Sequence, residues 1–122
     1  MAPHLFAHGR LAYVQIPALD VHASAAFYKE MFGWAIRGGS DAHLSFTDAT
    51  GDMIGAFVTG RSIADDAGVI FYIYVHGLDA VLAKVTAAGR AIVKPPYPEG
   101  DLWVATLRDP AGNVIGIWQQ GR

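Results

Sequence analysis

The chain says one thing twice. Asp48, Gly51, Ile54 and Gly55 in its first half recur as Asp109, Gly112, Ile115 and Gly116 in its second, both in the pattern D-x-x-G-x-x-I-G. A repeat of this size marks one supersecondary unit used twice. The pattern describes a tight turn that delivers a strand: the Asp side chain opens a type I turn, Pro110 suits its second position, and glycine suits the exit. The same order of signals precedes each turn. Residues 13–18 alternate as a strand, then Asp20 opens a helix with Val21, Ala25, Tyr28 and Phe32 at helical spacing, stopped by Gly33. Residues 70–75 form the matching strand, and Asp79 precedes a helix carrying Val81, Leu82 and Val85, stopped by Gly89. Further strands are expected at 43–47, 53–58, 103–108 and 114–119. The predicted fold is α+β: two βαβββ modules, about residues 11–58 and 69–120, in a single domain spanning the 122 residues. Residues 59–68 read as the connection between modules. Residues 94–101 read as a loop, because Pro95, Pro96 and Pro98 lack the amide donor that a helix or central strand needs.

Composition removes several classes of function. Net charge is −2 and the nine basic residues are scattered, so no cluster exists to neutralise phosphates and nucleic-acid binding is not expected. There is no cysteine, hence no disulfide and no thiolate metal site, which fits a reducing compartment. The first ten residues lack the apolar run of a signal peptide or membrane span, and a cytoplasmic protein without membrane contact is expected.

The run from Tyr13 to Asp20, then Ala26, Phe27 and Tyr28, and Met31, Phe32, Gly33 and Trp34, resembles the opening of the glyoxalase/bleomycin-resistance/dioxygenase (vicinal oxygen chelate) superfamily. The run from Leu107 to Gln119 resembles its ending. The resemblance spans residues 11–119. It implies curved sheets enclosing a small-molecule cleft, and a homodimer.

Strand alternation sorts the cleft wall from the core. Val14 and Ile16 are assigned to the core, leaving Tyr13, Gln15 and Pro17 for the cleft. Phe71, Ile73 and Val75 are assigned to the core, leaving Ile70, Tyr72 and Tyr74. After the first turn Ile54, Ala56 and Val58 are assigned to the core, leaving Met53, Gly55 and Phe57. After the second, Ile115 and Ile117 are assigned to the core, leaving Val114, Gly116 and Trp118. Trp103 is placed at the cleft as well. The expected ligand-binding set is therefore Tyr13, Gln15, Met53, Phe57, Tyr72, Tyr74, Trp103 and Trp118, a wall suited to an aromatic ligand. The bland alternative is that these rings only pack within the sheet or at a subunit contact.

Metal-dependent members of the family hold one divalent ion with four side chains, usually His and Glu. The resemblance carries those positions onto Tyr13, Gly55, Ile70 (or its neighbour Phe71) and Gly116, none of them His, Glu or Asp. Glycine and isoleucine offer no donor atom, so no metal and no cofactor are expected. Both glycines also free space for a ligand. His4 and His8 are four apart, but Pro3 and Gly9 bracket them and argue against a helix presenting both; with His22, His43 and His76 they read as ordinary surface or hydrogen-bonded histidines. Glu99 and Asp101 read as solvated carboxylates of the proline-rich loop, and no nucleophile–base pair can be assembled.

The expected function is metal-independent binding of a hydrophobic or aromatic small molecule, in the manner of bleomycin-resistance-type drug-binding proteins. Two alternatives stay open. One is a glyoxalase-related lyase or isomerase, or a dioxygenase-like enzyme; the other is an interaction module with a cleft filled by its own side chains.

Overall fold

The computed structural model describes residues 6–38 and 43–121, so His4 lies outside the described residues. Its elements are β1 (Tyr13–Pro17), α1 (Val21–Phe32), β2 (Ala35–Arg37), β3 (Leu44–Thr47), β4 (Ile54–Val58), β5 (Tyr72–Tyr74), α2 (Leu78–Ala87), β6 (Ile92–Glu99), β7 (Leu102–Arg108) and β8 (Val114–Gln120). The α+β class and the two βαβββ modules are as expected. Contacts divide the chain into two units, Met1–Arg61 and Ser62–Arg122. Each holds a four-stranded mixed sheet, in the orders β1-β4-β3-β2 and β5-β8-β7-β6.

In the first unit Asp20 accepts hydrogen bonds from the amides of His22 (3.0 Å) and Ala23 (3.3 Å), satisfying two orphan donors of α1. The helix buries Val21, Ser24, Ala25, Phe27 and Tyr28. Beneath it lies an aromatic stack: Tyr28 on Trp34 at 4.6 Å, Trp34 on Phe46 at 4.6 Å, and Phe46 against Phe57 at 5.1 Å between ring centres. The second unit is built differently. Its helix-side core is aliphatic, with Leu78, Leu82, Val85, Ala105, Leu107, Ile115 and Ile117 all buried.

Two local expectations need correction. Helix α2 begins at Leu78 behind Gly77, so Asp79 lies inside the first turn instead of ahead of it. With no side chain on Gly77, the Leu78 amide is capped from β8 by the side-chain carbonyl of Gln119. The proline-rich segment is a strand, β6, and not a loop. It sits at a sheet edge and bonds only to β7, and its register shifts between the Lys94–Thr106 and Tyr97–Val104 pairs. Pro95 and Pro96 fall inside that irregularity, where a missing amide breaks no ladder bond. Glu99 accordingly ends a strand opposite Leu102.

The two repeated turns form, but they close one residue apart. In the first, the Asp48 amide bonds to the Met53 carbonyl at 2.9 Å; in the second, the Asp109 amide bonds to the Asn113 carbonyl at 3.0 Å. The longer closure leaves residues 49–52 in the loop and the shorter leaves 110–112. A slip of one residue turns every following side chain to the other face. Gly55 therefore faces α1, whereas Gly116, its counterpart in the repeat, faces away from α2. The assignment of Met53, Gly55 and Phe57 to the cleft wall is overturned for this reason: Phe57 is 1% exposed under α1, and Ile54, Ala56 and Val58 face outward.

The second turn is the more deeply built. Asp109 is 2% exposed and accepts from the amides of Ala111 (3.0 Å) and Asn113 (2.9 Å) and from Asn113 Nδ2 (2.9 Å). Asn113 Oδ1 accepts from the Ala64 amide at 2.9 Å, and Arg108 joins Asp65 at 2.7 Å, so the start of the connecting segment is tied to this turn. In the first turn Asp48 accepts from the amides of Asp52 (2.9 Å) and Met53 (3.2 Å), with water able to reach it. Asp109→Ala should therefore lower the unfolding free energy by about 2–3 kcal/mol and Asp48→Ala by about 1 kcal/mol, because only the former leaves buried donors unpaired. Urea midpoints of the two variants check the order.

Candidate functional site

The second sheet turns Tyr72, Tyr74, Tyr97 and Trp118 outward. Register places side chains in rows on the face away from α2. One row is Tyr72, Gly116, Thr106 and Lys94; the next is Tyr74, Trp118, Val104 and Tyr97; a third holds Gln120, Leu102 and Glu99. Tyr72 is 44% exposed and Tyr74 45%. Tyr74 meets Trp118 edge to face at 5.2 Å, and its hydroxyl accepts from the Gln120 amide at 3.1 Å. The two rings make a right-angled aromatic corner.

Tyr72 does something the sequence did not announce. A Cβ added at Gly116 would stand 2.2 Å from the Tyr72 ring, so that ring lies flat across the glycine. Tyr97, on the far edge strand, stands on the same face one row along. Lys94 lies beside it, its Nζ 4.7 Å from the Tyr97 ring centre. Partial burial raises the Tyr72 pKa above the ordinary phenol value, with further lifting from Tyr97 and Glu99 against an opposing effect of Lys94. Tyr72 is therefore a neutral phenol at physiological pH.

The outward face of the first sheet carries Tyr13 and Gln15, both exposed, with Ile54, Ala56 and Val58 beside them. Arg37 on this face hydrogen-bonds Thr47 Oγ1. Of the residues predicted for the wall, Tyr72, Tyr74 and Trp118 stand together on one sheet, and Tyr13 and Gln15 stand on the other. Met53 closes the first turn. Trp103 is a correction: it lies opposite Gln119 and Pro98, on the helix side of its sheet. Tyr97 and Lys94 were missed because the strand that carries them was read as a loop.

Three of the four positions given to metal ligands, Gly55, Ile70 and Gly116, have no donor side chain. Gly116 is covered by Tyr72, and a Cβ at Gly55 would collide with the Val14 carbonyl at 2.1 Å and with the Phe46 ring. The space expected over the two glycines is thus filled by rings. Ile70 lines a depression of about 130 Å³ with Ala64, Asp66, Val69 and Val114, small beside the ~300 Å³ or more of usual ligand pockets. Among the described residues no three His, Asp or Glu side chains gather closely enough to hold a metal. No helix among them is long and apolar enough to cross a membrane.

Residues 10–117 match the family model of the Glyoxalase/Bleomycin resistance protein/Dioxygenase superfamily, and the chain belongs to that family. It is 27% identical over 126 residues to the protein CFP32 of Mycobacterium bovis, covering 96% of this chain and 48% of that protein. It is 28% identical over 135 residues to the anthracycline biosynthesis protein DnrV of Streptomyces peucetius, covering 95% of this chain and 49% of that one. The chain thus spans about half the length of these two curated relatives. Among solved structures it resembles TnmS3, an antibiotic binding protein from Streptomyces sp. CB03234, with a TM-score of 0.72 and 21% identity over 95% of this chain and 99% of that one. At that identity the likeness shows the fold.

Two expectations follow from the Tyr72–Gly116 contact. Gly116→Ala should cost about 1–2 kcal/mol by expelling the Tyr72 ring, and Tyr72→Ala in the same chain should remove most of that extra cost. A double-mutant cycle measures the coupling. The raised Tyr72 pKa means that the folded state holds the phenolic proton more tightly than the unfolded state. Stability from this source is complete below the ordinary phenol value of about 10 and is lost as pH rises through the folded pKa. Alkaline titration followed by tyrosinate absorbance should show one raised component that Tyr72→Phe abolishes.

Proposed function

We propose that this protein binds a hydrophobic, aromatic small molecule without a metal, on the outward aromatic face formed by Tyr72, Tyr74 and Trp118. The observation that carries the reading is the exposure of Tyr72 and Tyr74 beside a half-buried Trp118, on the face of the sheet opposite its aliphatic core. Two half-exposed tyrosines and a tryptophan contribute nothing to that core, and aromatic corners of this kind give large contact area to a planar ligand. The names of two relatives, an antibiotic binding protein and an anthracycline biosynthesis protein, support a ligand of this class. Sequestration needs affinity alone, which suits a face lacking any assembled acid–base pair. Tyr13 and Gln15, on the outward face of the first sheet, are proposed as further ligand contacts. A homodimer in the cytoplasm is part of the same proposal, and its mass is checked by light scattering.

Naphthalene-type aromatics should quench tryptophan fluorescence saturably and without being consumed. Trp118→Ala or Tyr74→Ala should weaken binding about tenfold, in line with the 1–3 kcal/mol such stacking contacts carry. After dialysis against nickel, zinc and manganese the protein should retain far less than one equivalent of metal, with ligand affinity unchanged by chelator. Stoichiometric metal together with turnover would establish the enzyme reading instead.

A further inference from the structure

Lys94 stands on the outward face of the second sheet, opposite Thr106 in the row that continues to Gly116 and Tyr72. Its ammonium lies 4.7 Å from the centre of the Tyr97 ring, which holds the cation along the sheet. A ring face attracts that charge without neutralising it, and an ammonium has three donors to place. Among the described residues the contact of Lys94 is this ring and not a carboxylate. Thr106 brings a second group. It is 7% exposed, and no hydrogen bond among the described residues takes up its hydroxyl. A covered hydroxyl without a partner is one that a ligand can satisfy. On its other side Gly116 lies beneath the Tyr72 ring, so Thr106 stands between that ring and Lys94. Glu99 belongs to the row of Leu102, which lies about 14 Å along β7 from Thr106 at the usual strand rise. That exceeds the Debye length of about 8 Å at physiological salt, so the Lys94 end of the face is left positive.

We infer that Lys94 and Thr106 are the specificity-determining anchor of the site, taking the carboxylate of an aromatic acid whose ring rests on Tyr74 and Trp118. The inference rests on the proposed binding function and names the ligand class that the site selects. Thr106 is diagonal to Trp118 across the β7–β8 pair. Such neighbours stand about 7–8 Å apart, a distance that one bicyclic aromatic acid spans. The carboxylate accepts from the Lys94 ammonium and from the Thr106 hydroxyl, charge-assisted hydrogen bonds that an uncharged ring system cannot make. An amine in the same place would meet the lysine as a like charge.

The test titrates naphthalene, naphthoate and naphthylmethylammonium into the full chain, followed by tryptophan fluorescence. Wild type should bind naphthoate about tenfold more tightly than naphthalene, with the ammonium probe the weakest of the three. Lys94→Met should erase the preference for naphthoate over naphthalene, Lys94→Arg should keep it, and Thr106→Val should cut it about threefold. Lys84→Met makes the same change of charge on the exposed side of α2 and should leave all three affinities as in wild type. A merely structural role for Lys94 would lower the three affinities together in Lys94→Met, with the preference kept, and would overturn the inference. Loss of the preference in Lys84→Met as well would overturn it in favour of a diffuse charge effect. Preference of wild type for the ammonium probe would overturn it in favour of the Glu99 end of the face. Equal binding of naphthoate and naphthalene by wild type would overturn the anchor alone and leave the binding function standing. Failure of every probe to bind would overturn both.

Discussion

Which face a residue of this protein occupies is decided by where an aspartate closes a turn. Asp48 and Asp109 occupy equivalent places in the repeat, and each gathers the amides of its own loop on its carboxylate. Yet one backbone closure reaches Met53 and the other Asn113, leaving one more residue in the first loop. Strand period does the rest, because a one-residue difference exchanges core and surface over the following strand. Gly55 lies under the helix with Phe46 across it, and Gly116 lies outside with Tyr72 across it. The same motif has thus opened space for a ring on opposite sides of its two sheets.

The consequence is a division of labour in aromatic residues. In the first unit they stabilise: Tyr28, Trp34, Phe46 and Phe57 form the stack beneath α1, at 4.6–5.6 Å between ring centres. In the second unit aliphatic residues fill most of the helix side, where Trp103 also lies, and Tyr72, Tyr74, Tyr97 and Trp118 stand on the outward face. Rings that are not needed for packing are available for binding. The outward face of the second sheet thus sets Tyr72, Tyr74, Tyr97 and Trp118 among Lys94, Thr106, Glu99 and Gln120.

The order of elements, the helix limits at Asp20 and Gly33, both turns and the family were legible in the sequence, because each rests on local chemistry or on motif order. The outward facing of Tyr13, Gln15, Tyr72, Tyr74, Gly116 and Trp118 was legible too, since simple alternation held along those strands. Met53 and Phe57 were misplaced by treating the repeat as exact in space. Loop closure depends on how the amides share one carboxylate, and pattern alone does not reveal it. Trp103 was misplaced because its facing is set by pairing with Gln119, a long-range register. The strand bearing Lys94, Tyr97 and Glu99 was hidden by its prolines, which an edge strand with a register shift accommodates.

Ligand is proposed to bind on the outward face of the second sheet, over Tyr72, Tyr74 and Trp118. Amide and indole chemical-shift mapping by NMR during titration with naphthol tests this most directly. Saturable shifts centred on Thr106, Gly116 and the Trp118 indole are expected, with little change at Leu82, Val85 and Ile115 on the helix side. Saturable shifts centred instead on the Tyr28, Trp34 and Phe46 stack, with Gly116 and Trp118 unmoved, would contradict it.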